Sequence, residues 1–211
     1  MSWSKDRRGP HPGRRGYHHG NLREALILVA LDLIAEKGPG GFTIADAARL
    51  AGVSSAAPYR HFRDRDALMA DVARLGFEQF TAKLDKAWNE GQPELMRAFE
   101  RVGKAYLEFA REEPSFYAAM FEAGVPIGTT PELRAAADRA FDVLRTAAEA
   151  LCATLPEGKR PPALMVALHI WAMSHGIASL FGRNEGRKTP MSPEELLEAG
   201  LLVYLQGLGI R

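Results

Sequence analysis

Residues 43–62, TIADAARLAGVSSAAPYRHF, constrain this chain more than any other stretch. Ala45, Ala47, Ala48 and Leu50 supply apolar positions to a short helix. Gly52 follows where a sharp turn needs a residue that tolerates positive φ. Ser54 and Ser55 then offer hydroxyls to cap a second short helix, which ends in Tyr59, Arg60, His61 and Phe62. Two short helices around a turn of three or four residues form a helix-turn-helix, with the second helix placed to enter a major groove. An ordinary helical hairpin is the alternative.

Charge separates the two. The chain carries a formal +1, but residues 1–63 hold ten Lys or Arg against five acids, a net +5 that leaves −4 for the other 148 residues. A basic field beside the motif attracts polyanions. Upstream, residues 1–17 combine Gly9, Pro10, Pro12, Gly13 and Gly16 with arginines, the composition of a flexible basic arm. Arg7, Arg8, Arg14 and Arg15 could follow a phosphate backbone or enter a minor groove, or the tail could serve solubility alone. His11, His18 and His19 lack acidic or thiolate partners and give no metal site. One cysteine, Cys152, excludes an intrachain disulfide and a thiolate cluster, and points to a small core residue in a reducing cytoplasm. The basic start lacks the apolar region of a signal peptide, and no 18-residue apolar run suggests a membrane span.

The rest of the chain is helical by period. Leu22, Ala25, Leu26, Val29, Ala30, Leu33 and Ile34 predict a helix over 21–37, stopped by Gly38-Pro39-Gly40-Gly41, to brace a small unit with core positions Phe42, Ile44, Val53 and Phe62. Asp64 caps a long helix to about residue 89, connecting that unit to the remainder. Further helices are expected over 93–110, 114–121, 131–155 and 163–181, and from the Ser192-Pro193-Glu194-Glu195 start onward. The helix over 163–181 is apolar around much of its circumference and needs cover on more than one face. Together with the terminal helix it could pair across a two-fold axis into a four-helix dimer interface, with Leu168, Met173, Gly176, Leu180, Leu197, Leu201 and Tyr204 as candidates; packing within one subunit is the alternative. The expected class is all-α: an arm over 1–17, a three-helix DNA-binding unit with helix-turn-helix over 18–63, a connecting helix over 64–90, and a larger helical ligand-binding and dimerisation domain over 91–211.

Residues 43–68 closely resemble the N-terminal helix-turn-helix of TetR-family transcriptional regulators, in the Tyr59-Arg60-His61-Phe62 ending and the charged link Arg63-Asp64-Arg65-Asp66 behind an amphipathic first helix. Trp171-Ala172-Met173-Ser174-His175-Gly176 looks like the tryptophan-histidine-glycine signature of one C-terminal subgroup, and Tyr17-His18-His19-Gly20-Asn21-Leu22-Arg23 resembles that subgroup's entry to the first helix. The resemblance implies a homodimeric repressor of a palindromic double-stranded DNA operator, with an effector bound in the C-terminal domain. It places Thr43 and Tyr59 on phosphates, Ser54 at a cap and possible phosphate contact, and Ser55 and Ala57 toward bases. Arg60 reaches either a base edge or the backbone; His61 contacts phosphate or ties two helices together. Pro58 and the short side chains at Ser55, Ala56 and Ala57 depart from the family's common pattern, which shifts discrimination toward thymine methyls, the arm and DNA shape.

Phe99, Tyr106, Phe109, Tyr117, Met120, Phe121, Phe141, Trp171 and His175 are candidate pocket contributors for a moderately apolar small molecule, or else plain core. Trp171 and His175, four residues apart, share a helix face. An enzyme is disfavoured: Cys152 has no positioned histidine, Glu112-Glu113 and Glu194-Glu195 are helix-end charge, and neither a phosphate loop nor a compact metal motif is present, so no cofactor is expected. A helical adaptor without sequence-specific DNA binding is the remaining competitor.

Overall fold

The computed structural model describes residues 21–181 and 190–210. Eight α-helices are described: α1 (Leu22–Lys37), α2 (Ile44–Leu50), α3 (Arg65–Trp88), α4 (Leu95–Glu112), α5 (Pro114–Phe121), α6 (Pro131–Ala153), α7 (Ala163–Phe181) and α8 (Pro193–Gly207). Local chemistry sets most of their ends. Asn21 accepts from the Glu24 N–H at α1, Asp64 from the Ala67 N–H at 2.8 Å for α3, and Thr130 from the Leu133 N–H for α6. Glu94 caps α4, accepting from Met96 and Arg97 N–H, so this helix starts two residues later than its sequence suggests and runs on to Glu112. Reciprocal capping boxes open α2, between Thr43 and Asp46, and α8, between Ser192 and Glu195. Gly38, at φ 77°, ends α1 where a side chain would be strained.

One apolar core runs through the described residues from α1 to α8. At the N-terminal end Leu26, Ala30 and Leu33 of α1 meet Phe42, Ile44, Ala47 and Phe62. The 24-residue α3, about 36 Å long at the usual rise, carries this core onward through Phe77 and Phe80, both 1% exposed or less. It packs on α4, α5 and α6, while α7 packs on α4, α6 and α8.

Two local expectations fail. The second helix of the motif is a run of turns closing in one 3₁₀ turn, Pro58–Arg60. Pro58 has no N–H to give the Ser54 carbonyl, which accepts instead from Ala57 at 3.0 Å, while the His61 and Phe62 N–H groups both turn back to the Pro58 carbonyl. No side-chain cap forms at its start, so Ser54 and Ser55 are not N-caps here. In α2, Ala45 and Leu50 point outward, and the buried face is Ile44, Ala47 and Ala48; Val53 is half-buried. A third point concerns α7, which by length and composition alone could cross a membrane (mean hydropathy 1.5 over 18 residues), although the sequence reading finds no such span. Only 33% of that window is buried within the subunit, so α7 leaves an apolar face open.

Candidate nucleic-acid interface and switch core

A candidate DNA-facing surface follows from how the small unit distributes its aromatic residues. Phe42 and Phe62 go inward, each 3% exposed, whereas Tyr59 is 57% exposed, the one exposed Phe, Tyr or Trp among the described residues. Thr43, Ser54, Ser55, Arg60 and His61 are exposed alongside it, and Ala57 is half-buried. Burying Phe62 while presenting its neighbours is what the tight 3₁₀ turn accomplishes: Tyr59, Arg60 and His61 face out around the anchor. Thr43 combines two tasks, since its hydroxyl accepts the Asp46 N–H at 3.2 Å and donates to Asp46 Oδ2 at 2.7 Å. That hydroxyl contact, with the Thr43 N–H and Arg49, holds the Asp46 carboxyl down to about 2. Arg14 and Arg15 lie outside the described residues.

Behind the unit, the guanidinium of Arg65 stacks over Phe42 at 5.0 Å and that of Arg23 lies 5.7 Å from the Phe62 ring centre. Arg23 also reaches Asp71 at 2.9 Å, an acid that is only 7% exposed. These contacts seat the small unit on the first turns of α3.

Three of the candidate pocket residues meet around one ring, that of Phe80. Phe80 stands 5.0 Å from Tyr106, 5.0 Å from Phe109 and 6.0 Å from Trp171, and Trp171 meets Phe141 at 5.6 Å. Phe121 extends the cluster, 4.8 Å from Tyr117 and 4.9 Å from His175. Phe99 is fully buried, and Met120 packs where a Cβ at Gly76 would meet its sulfur at 2.8 Å. Trp171 and His175 do share a face of α7, as their spacing requires. Sequence reasoning placed Phe80 only as an apolar residue of its helix; its position at the hub depends on long-range packing.

A polar group threads this apolar mass. The Tyr106 and Tyr117 hydroxyls lie 3.1 and 2.9 Å from the same nitrogen, Nδ1 of His175, and the exposed Ser179 hydroxyl lies 3.5 Å from Nε2. Burial lowers the His175 pKa, opposed by the charge of Glu122, so the imidazole is neutral at ordinary pH and Nδ1 can accept. Burial, followed by the neighbouring Tyr117, raises the Tyr106 pKa and keeps that phenol protonated as a donor.

The dimer candidates divide. Leu197 and Leu201 are 1% and 3% exposed and lie against Gly103 of α4, where a Cβ would sit 3.0 Å from Leu197 Cδ2. They belong to the subunit's own core, because the terminal helix must bury one face against α4 and α7 before it can offer the other. Met173 packs toward Gly200, and Tyr204 bonds His169 Nδ1 at 2.8 Å, both inside the α7–α8 pair. The outward residues are Leu164, Leu168 and Leu180 of α7 with Leu202 and Val203 of α8, between 51% and 72% exposed. Gly176 lies half-exposed among the α7 residues, and a methyl group added there would meet no atom within 4 Å. Among the described residues, no group of three or more His, Cys, Asp or Glu is placed to hold a metal ion.

Comparison with known proteins agrees with this geometry. Residues 26–72 match the bacterial regulatory proteins of the tetR family, and residues 99–204 match the tetracyclin repressor-like C-terminal domain. The chain is 28% identical over 144 residues to the nucleoid occlusion factor SlmA of Marinomonas sp. (strain MWYL1), covering 67% of this chain and 72% of that protein. Its fold is similar to that of a protein of unknown function from Rhodococcus sp. RHA1, at 31% identity and TM-score 0.74 over 92% of this chain and 98% of the other. The TetR-family regulator PfmR of Thermus thermophilus shares the fold at TM-score 0.66 and 22% identity, over 86% of this chain and 97% of its own. With its C-terminal match spanning half of the chain and a second match on the helix-turn-helix unit, this protein belongs to the TetR family of bacterial regulatory proteins.

Proposed function

We propose that the chain is a cytoplasmic transcriptional repressor that binds a palindromic operator as a homodimer and is released by a moderately apolar small molecule. The observation that carries this reading is the outward set Tyr59, Arg60 and His61 on a unit whose other aromatic side chains are buried. A folded unit of this size gains nothing for its own stability by exposing a tyrosine beside Arg60 and His61; phosphate and groove contact explain it. Thr43, Ser54 and Tyr59 take phosphates, Ser55 and Ala57 approach bases, and the arm with Arg14 and Arg15 adds backbone or minor-groove contact. The basic arm (1–17) with the helix-turn-helix unit (18–63) forms the output, and the connecting helix (64–90) joins it to the effector domain (91–211), the input.

Dimerisation through the open faces of α7 and α8 repeats the half-site contact about 34–36 Å apart or at a suitable helical repeat. The effector enters between the rings around Phe80, displacing packed side chains, and meets the His175 group as its polar contact. It acts by preferring one separation of the two reading units, with α3 as the transmitter. The tryptophan-histidine-glycine run at Trp171, His175 and Gly176 supports assigning the C-terminal domain to that subgroup. In this reading the protein performs no catalysis.

Selection of bound DNA fragments, including DNA flanking the native gene, followed by a small-molecule release screen, tests the proposal. One enriched palindrome, lost on Tyr59→Ala, supports it. Binding without a common palindromic sequence rejects the specific repressor in favour of a helical adaptor.

A further inference from the structure

Asp71 is unlike the other carboxylates of the described core: it lies on α3 at 7% exposure, among Leu68, Val72 and Ala70. A carboxylate so placed is stable as an anion only beside cations. Two arginines supply them from different elements. Arg23 Nη2 of α1 stands 2.9 Å from Asp71 Oδ2, and Arg74 Nε of α3 lies 3.0 Å from Oδ1. Arg74 continues the chain, its other nitrogen donating to Glu78 Oε1 at 2.7 Å; burial works against its charge, but the bonds to Asp71 and Glu78 outweigh that and raise its pKa. The same Glu78 oxygen faces Arg139 of α6 at 3.8 Å. Arg23, Arg74, Glu78 and Arg139 line one open cleft of about 420 Å³ with Glu132 and Ala135.

We infer that this ion-pair relay, Arg23–Asp71–Arg74–Glu78–Arg139, is the device that sets the angle of the DNA-reading unit against the effector domain. The inference rests on the proposed DNA reading for its consequence, though not for its geometry. Rotation of α1 away from α3 withdraws Arg23 and leaves a buried carboxylate half-compensated. Displacement of α6 withdraws Arg139 from Glu78, and the shared carboxylate can then turn fully to Arg74. Each end of the relay therefore resists or transmits motion of the other, through three elements in direct contact. Arg23 and Arg139 are 50% and 55% exposed, so their role is positional and their removal leaves the core filled. The remaining family of contacts between α1 and the effector domain includes the Ser115 hydroxyl, which donates to the Leu31 carbonyl at 3.1 Å.

The test is intramolecular distance measurement between spin labels at Arg49→Cys on α2 and Glu149→Cys on α6, in full-length protein carrying Cys152→Ala and diluted with unlabelled chain. Arg23→Gln and Arg139→Ala should each broaden and shift the distance distribution, Arg139→Lys should restore it, and Arg97→Gln, a surface control on α4, should not alter it. In operator binding, the discrimination between the optimal half-site spacing and one altered by a base pair should fall about two- to thirty-fold in the first two variants. Distributions that superimpose on the parent's in both Arg23→Gln and Arg139→Ala, with unchanged thermal stability, overturn the relay. A protein that selects no operator yet shows the distance changes leaves the relay standing and removes the proposed function instead.

Discussion

Replacing Leu168 by alanine gives the sharpest test of how two copies meet. Leu168 is 51% exposed on α7, one turn from the similarly exposed Leu164 on the same apolar face. Fully burying a leucine is worth about 1.5–3 kcal/mol, so covering the exposed half contributes roughly 1 kcal/mol. A two-fold interface counts the residue twice, and truncation to alanine therefore costs the dimer roughly 2 kcal/mol, about a thirty-fold increase in dimer Kd. Sedimentation equilibrium over a concentration series reads this directly. Leu28→Ala is the matched control: Leu28 is 52% exposed but lies on α1, so its removal should leave the dimer Kd unchanged. Equal dissociation constants for Leu168→Ala and the parent, with a dimer still present, would refute the assignment of this face to self-association. A loss of helical signal in the isolated subunit would instead show that Leu168 supports its own fold, contrary to its exposure.

Arg60→Ala should weaken operator binding and, if the contact is to phosphate, reduce the salt slope by about one for each subunit; a changed base preference at constant slope assigns Arg60 to a base edge. Thr43→Ala removes the hydroxyl half of the capping box, leaving the backbone N–H of residue 43 on Asp46, and should lower Tm by about 2–4 °C, read by calorimetry. The same variant should return Asp46 from about 2 toward 3.8 in a carboxyl NMR titration. Because the folded value is depressed, the capping contribution is present above pH 3.8 and is lost as pH falls toward about 2. At His175 the lowered pKa favours the neutral imidazole of the folded state, so its contribution is present above the ordinary value of 6.5 and lost as pH falls below it. An acid-side drop in Tm that persists undiminished in His175→Gln would assign that titration to another group.

The helices were legible because their ends carry local chemistry. Asn21, Thr43, Asp64, Thr130 and Ser192 each cap the helix that follows, and each is visible in the sequence as an oxygen-bearing side chain before an apolar period. The segment after Gly52 misled for an equally local reason. Its serines resemble caps, but one proline four residues beyond Ser54 deletes the hydrogen bond that a full helical turn requires there. The aromatic group was legible as a set of residues without its centre, since nothing in the pattern of α3 distinguishes Phe80 from Phe77. Leu197 and Leu201 looked available to a partner because periodicity identifies an apolar face without telling which neighbour covers it. Asp71 did leave a signal: three residues after Leu68 and one before Val72, an acid falls on the buried stripe, with Arg74 one helical step away. That mismatch of charge and burial is a better pointer to an interdomain contact than any motif in the C-terminal half.

Asp71 and Phe80 also show how input and output can share one helix. They are nine residues apart on α3, two and a half turns, which puts them on opposite sides of the helix and about 13 Å apart along its axis. One side holds the carboxylate that engages α1; the other holds the ring at the hub of the aromatic cluster. A close-packed core does not yield by smooth compression. A molecule wedged beside Phe80 therefore has to be accommodated by displacement of α3 or of the helices that cover it, and a tilt of α3 changes the Arg23–Asp71 separation. The energy available is bounded by how much better the molecule binds the displaced arrangement. Coupling of this kind needs no hinge residue between the two regions, because the continuous core from α1 to α8 supplies the stiffness. In the proposed mechanism, what moves the reading units is then the same packing that holds the chain together.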